Sequence, residues 1–122
     1  MNATDWLPRA EGRDVCYLTT TGRTTGLPRE IEIWFASESG RLFLLAGGRD
    51  RSHWVRNLRQ DPIVTIRVGD ARVVGRARVI EGEADDPRAR ELLDGKYHGW
   101  RPGRGLTEWA RTALPVVVEF SS

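Results

Sequence analysis

The residues best equipped for chemistry lie in one short stretch, Thr19 to Arg29, reading TTTGRTTGLPR. Glycines at 22 and 26 let backbone N–H groups approach a ligand without side-chain obstruction. The hydroxyls of Thr21, Thr24 and Thr25 add donors, and Arg23 and Arg29 add positive charge that can fork onto a phosphate. The stretch therefore reads as an anion cradle in which both arginines reach one anion. The plainer alternative is an ordinary turn whose threonines satisfy one another across the strands. The segment Gly22 to Thr25 is not a P-loop, because it has no lysine and joins two strands rather than opening a helix.

A second group follows in HWVRNLRQDP. His53 and Asn57 are four apart and share one helical face, with Trp54 beside them. That face, with Trp54 and Asn57, is a candidate part of a binding site. The competing reading makes Trp54 core and Asn57 a loop tether. Ala46, Gly47 and Gly48 are small enough for a ring to approach the backbone. Later, Tyr97, His98 and Trp100 either line a substrate pocket, with His53, or pack the mouth of the fold. His53 and His98 lack the cysteine or carboxylate spacing of a metal site, so no metal is expected.

Composition bounds the class. The chain has 122 residues with 39% hydrophobic and 30% charged content, which predicts one folded domain spanning 1–122. The formal charge is only +2, with 18 arginines and the lone Lys96 against 17 acids. That balance argues against a nucleic-acid partner, which would show a basic stripe. No apolar run reaches the roughly 20 residues of a membrane helix, and the first residues lack a signal-peptide layout. Cys16 is the one cysteine, so it forms no intrachain disulfide and reads as a small core residue. These features predict a cytoplasmic protein without a membrane partner.

The elements that must hold these residues alternate mostly with period two. Strands are predicted at Asp14 to Thr20, Arg29 to Ser37, Arg41 to Gly47, Ile63 to Val68, Ala71 to Ile80 and Leu114 to Phe120. Gly75, in the middle of the fifth, predicts a bend or a close backbone approach. A helix capped by Asp50 or Ser52 ends at Asp61-Pro62. Another starts at Pro87 and runs through Leu93, and a short one covers Leu106 to Ala113. Gly95 to Gly105 reads as a loop. The fold class is mainly β, a six-stranded antiparallel barrel with two or three helices.

Taken together, the TTTGR turn, the LLAGG strand end and the W-x-x-N-L-x-x-x-P helix resemble the deazaflavin-dependent nitroreductase family, within the split-barrel superfamily of flavin proteins. The resemblance covers roughly Val15 to Glu81. It implies a split barrel, coenzyme F-420 or FMN as cofactor, and two-electron reduction of quinones, nitro compounds or activated alkenes. It also places Trp54 and Asn57 against the ring of the cofactor. The cofactor supplies the chemistry in such proteins, so no catalytic acid–base pair is expected. One departure is Thr24, where the family usually carries a lysine. A different class, a cofactor carrier without turnover, shares the fold. Five tryptophans on a small chain, with half-barrel faces that one domain can hardly cover, predict a homodimer.

Overall fold

A computed structural model describes residues 3–121. Its strands are β1 (Cys16–Thr21), β2 (Pro28–Ile33), β3 (Ala36–Glu38), β4 (Arg41–Ala46), β5 (Ile63–Val68), β6 (Ala71–Val79) and β7 (Leu114–Glu119). The helices are α1 (Ala3–Ala10), α2 (His53–Gln60), α3 (Asp86–His98) and α4 (Glu108–Thr112), with a 3-10 turn at Arg49–Arg51. All strand pairs are antiparallel, in the order β2-β1-β5-β6-β7-β4-β3.

The two edges of this sheet, β2 and β3, are consecutive in the chain and separated only by Trp34 and Phe35. Two residues span about 10 Å between their flanks at most, so the sheet must curl until its edges meet. The result is a split barrel with a seam at residues 34–35. The expected single strand from Arg29 to Ser37 is therefore two, and the barrel has seven strands rather than six. Alternation of Ile31, Ile33 and Phe35 hid the break, because Phe35 is fully buried although it belongs to no strand.

Tyr97 holds the seam. Its hydroxyl accepts the Phe35 amide at 3.0 Å and shares its proton between the carbonyls of Phe35 at 2.9 Å and Asp14 at 2.8 Å. It thus replaces the ladder bonds that Phe35 lacks. Burial pushes the phenol up to about 12. Lys96 lays its ammonium 3.7 Å from the centre of the Phe35 ring, with Glu11 at 3.6 Å.

Periodicity decides the faces. Cys16, Leu18 and Thr20 point inward with Val64, Ile66 and Val68, and Trp6, Leu7 and Ala10 of α1 join that core. α2 contributes Val55, Asn57 and Leu58 at the opposite end of β1. The runs RLFLLA and LPVVV are apolar on both faces because α3 and α4 cover the outside of β4 and β7 with Ala89, Leu93 and Ala110. Gly75 is where the sheet bends most tightly: a Cβ there would lie 2.7 Å from Val118 Cγ1 and 2.9 Å from the Glu119 carbonyl.

The helices depart from expectation in two places. α1 carries Pro8 and few propensity signals, and four helices form rather than two or three. α3 runs on through Gly95 to His98 and ends at Gly99, whose φ of 71° lies in the left-handed region that favours glycine. Tertiary bonds stabilise that last turn. The buried Asp94 carboxylate accepts the Thr107 amide at 2.8 Å and the Thr107 hydroxyl at 2.7 Å, and pairs with His98 Nδ1 at 2.9 Å.

Two outcomes follow. Tyr97→Phe leaves the Phe35 amide and carbonyl without a partner and is expected to cost about 1–3 kcal/mol in urea denaturation. For Asp94, burial alone would raise the carboxyl; the Thr107 bonds and His98 outweigh it and hold it below the usual range. A depressed folded value contributes stability above the unfolded value of 3.8 and loses it as pH falls through the folded one. Asp94→Asn is therefore expected to be less stable than wild type at pH 7, with the deficit narrowing below about pH 4.

Candidate functional site

A cleft of about 610 Å³ opens between the β1–β2 connection, the inner face of β2 and helix α2. Gly22, Arg23, Thr24 and Thr25 form one end. Arg29, Glu30 and Ile31 form a side, and His53, Trp54 and Asn57 face them from α2. The sheet register explains the placement. Thr20 pairs with Arg29 and Leu18 with Ile31, so Arg29 and Ile31 share the inward face with buried Thr20 and Leu18.

The turn is built by its glycines. The Gly22 amide donates to the Leu27 carbonyl at 2.8 Å, and the Gly26 amide to the Gly22 carbonyl at 2.7 Å. Gly26 has φ of 74°. A Cβ on Gly22 would sit 2.9 Å from Thr25 Oγ1 and 3.1 Å from the Leu27 carbonyl, so a side chain there would force the turn to shift. The Leu27 amide donates to Thr25 Oγ1 at 3.2 Å. The amides of Thr24 and Thr25 have no acceptor among the described residues.

Asn57 ties this turn to α2. It is 3% exposed, and its Oδ1 accepts the Arg23 amide at 3.2 Å and Arg23 Nη1 at 2.8 Å. Its Nδ2 donates to Thr20 Oγ1 at 3.1 Å. Arg23 Nη2 lies 3.1 Å from His53 Nδ1. Guanidinium only donates, so Nδ1 accepts and the His53 proton sits on Nε2. Gln60 Nε2 donates to the Arg23 carbonyl at 3.2 Å. Arg23 is thus engaged by the protein itself, in the tethering role that the sequence left open for Asn57. Arg29 is exposed and has no hydrogen-bond or ion-pair partner among the described residues. Glu30 is paired with Arg67 at 3.4 Å.

The remaining sequence candidates fall elsewhere. Thr21 is half-buried on the outer face, opposite Pro28. Ala46 is buried against Val55 and Leu114. Gly47 stands beside Trp109, whose Cδ1 would be 3.7 Å from a Cβ there. Tyr97 does not line the cleft; it stacks on Trp34, with ring centres 4.3 Å apart. The Trp100 indole donates to the Arg104 carbonyl at 2.9 Å and holds its own loop. A second, smaller hollow of about 260 Å³ lies between Trp34 and Trp109, over Ile33 and Leu45. The sequence reading passed over Thr20, Ile31 and Trp109; inward phase marked the first two, and nothing in the sequence marked Trp109. Burial pushes the Cys16 thiol up to about 12, so it is no nucleophile at neutral pH.

The family model for F420H(2)-dependent quinone reductase matches residues 3–121. The chain belongs to that family. A conserved hypothetical protein of Mycobacterium tuberculosis, Rv2991, superposes with a TM-score of 0.75 at 19% identity, over 100% of this chain and 82% of that one. An F420-H2-dependent reductase, FDR-A, gives 0.66 at 25% identity, over 88% and 95%. A structure solved as a domain-swapped dimer gives 0.68 at 27% identity, over 88% and 81%. None of the helices of the described residues is long and apolar enough to cross a membrane.

Asn57→Ala removes one acceptor from two Arg23 donors and one donor from Thr20. A loss of about 1–3 kcal/mol is expected in thermal or urea unfolding. In a double-mutant cycle with Arg23→Ala the two losses should be strongly non-additive, and additivity would show that the tie contributes little.

Proposed function

We propose that this chain is a deazaflavin-dependent oxidoreductase that binds F420 in the 610 Å³ cleft and reduces quinone, nitro or activated-alkene acceptors by two electrons. The single observation that carries the reading is the cleft's turn end. There two amides without acceptors, on Thr24 and Thr25, lie with one uncommitted cation, Arg29. Unpaired N–H groups beside a guanidinium suit a phosphate oxygen. The cleft volume falls in the ordinary range for a cofactor site, about 300–1,000 Å³.

The residues present fit such a group. Thr24, Thr25 and Arg29 would hold the phosphate, while Trp54 and Ile31 would flank the ring. When bound, the deazaflavin supplies hydride chemistry. The chain's own share is to bind, orient and exclude water. His53, with its Nδ1 engaged by Arg23, presents only an Nε2 donor. Thr24 in place of a lysine leaves Arg29 as the one free cation lining the cleft among the described residues, which suits one phosphate better than a long polyanionic tail. FMN would meet the same cradle, so the two are separated by titration. The protein is proposed to work as a homodimer, in keeping with the relative solved as a domain-swapped dimer.

Arg29→Ala should weaken binding of the preferred cofactor by about 1.5–3 kcal/mol, roughly 10- to 150-fold, with Arg29→Lys recovering only part. Fluorescence titration of F420 and of FMN into each variant measures this. Unfolding midpoints should barely move, since Arg29 touches no partner. Equal affinity in wild type and Arg29→Ala would sink the cradle. Binding without turnover of any quinone would make the protein a carrier.

A further inference from the structure

The cleft follows the free edge of β2 rather than one of its faces. Side chains along a strand alternate between faces, yet Pro28, Arg29, Glu30 and Ile31 all line it. The next three residues, Glu32, Ile33 and Trp34, line the smaller hollow. About 20 Å of strand edge thus borders open space. The ladder fixes which peptide groups face that space. The Gly22 amide donates to the Leu27 carbonyl, and hydrogen-bonded pairs alternate along an antiparallel ladder. Counting on through the register, Arg29, Ile31 and Ile33 exchange bonds with β1, while Pro28, Glu30 and Glu32 turn their peptide groups to the free edge. The neighbouring strands give the same phase. The Ala77 amide donates to the Pro62 carbonyl, which leaves Thr65 and Arg67 to bond Thr19 and Tyr17, and Leu18 and Thr20 to bond β2. Pro28, which lacks an N–H, stands where the ladder needs none. The amides of Glu30 and Glu32 have no acceptor among the described residues. Their side chains are drawn to the outer face, Glu30 by Arg67 at 3.4 Å and Glu32 by the Tyr17 hydroxyl at 3.0 Å.

We infer that this edge recognises a flat heterocycle carrying a cyclic imide, O=C–NH–C=O, through the Glu30 N–H, the Glu30 C=O and the Glu32 N–H. This rests on the ring-binding reading given under Proposed function and adds which edge of the ring is read. The three main-chain groups run donor, acceptor, donor along the strand, and an imide presents acceptor, donor, acceptor. A ring held this way extends the plane of the sheet and turns its inner face to Trp54 on α2. An added peptide strand would also satisfy the edge. Every second side chain of that strand would point inward at His53 and Trp54, which wall the inner side. A ring projects nothing there, so the wall selects the flat ligand. Flavin and deazaflavin rings both carry the imide, so the edge does not separate those two. It selects against rings without an imide and against rings alkylated on the imide nitrogen. No residue type marks this recognition, because every contact is made by main chain.

Phosphate-free probes separate this edge from the anion cradle. Riboflavin and its deaza analogue carry the imide and no phosphate, and methylation of the imide nitrogen removes the central donor. In fluorescence titration the parent rings should bind at least about 10-fold tighter than the methylated ones, since methylation leaves the Glu30 carbonyl unpaired. Glu32→Pro deletes an amide that serves no ladder bond, at a position an edge strand tolerates. It should bind riboflavin at least about 10-fold more weakly than Glu32→Ala, which keeps the amide. Circular dichroism melts confirm that both variants are folded. Hydrogen exchange of the wild type reads the same groups without substitution. The Glu30 and Glu32 amides should exchange fast in the free protein and slowly with riboflavin, while those of Ile31 and Ile33 stay slow throughout. Equal affinity for parent and methylated rings, or Glu30 and Glu32 amides indifferent to riboflavin, overturns the imide edge. Protection of those amides that grows with protein concentration overturns it too, because a second chain then holds the edge. So does failure of both parent rings to bind at about 200 µM. The cradle is judged apart from this, by the affinity of Arg29→Ala for FMN: a loss there upholds the cradle even where the edge fails, and no loss leaves a demonstrated imide preference standing.

Discussion

Closure of the sheet is the constraint on which everything else depends. β2 and β3 are its two edges, yet only Trp34 and Phe35 lie between them. A seven-stranded sheet could lie open if its edges were distant in the chain. Here a two-residue tether forces the edges together, and it breaks the ladder at the join. Every broken ladder leaves amides and carbonyls to be satisfied. The hydroxyl of Tyr97 does this for Phe35, and so binds the C-terminal half of α3 to the seam.

The cleft is a consequence of that seam. Because β2 pairs only with β1, its other edge stays free, and the space alongside it is bounded by α2 instead of another strand. α2 can serve as a wall only if it is fixed to the turn it faces. Asn57 does so from a buried position, with its bond to Thr20 buried and its bonds to Arg23 half-buried. The tie also determines which arginine is available. Arg23, bound to Asn57 and His53, stiffens the site, and Arg29 is left as the free charge.

The arginine-rich composition divides along the same lines. Buried guanidinium groups are structural: Arg90 donates to the carbonyls of Ala110, Arg111 and Ala113 and to Asp86, closing the end of α4. Some of the more exposed ones bridge to acids, as Arg88 does to Glu38 and Arg49 to Glu81. Such exposed pairs contribute little each, about 0–1 kcal/mol. Arg29 at the cleft and Arg72 and Arg76 on the outer face of β6 have no side-chain partner among the described residues, and the same holds for Arg51, Arg101, Arg104 and Arg111 on turns, loops and α4.

The sequence by itself determined the period-two strands, the turn at Gly22 to Pro28, the helix from His53 and hence the mainly β barrel. These are local matters: alternation, glycine placement and a helix stop at Asp61-Pro62 leave few alternatives. It also brought Thr24, Thr25, Arg29, Trp54 and Asn57 forward as candidates. Only the tertiary structure decided how those residues divide their roles. Whether Asn57 meets a ligand or Arg23 depends on which elements closure brings together, and no spacing encodes that. The break at Trp34 and Phe35 was invisible because both flanks keep an unbroken alternation, and the bond that replaces the ladder comes from Tyr97, 62 residues away. The last turn of α3 was likewise hidden, since a glycine-bearing segment of weak propensity became helical only through Asp94, Thr107 and His98.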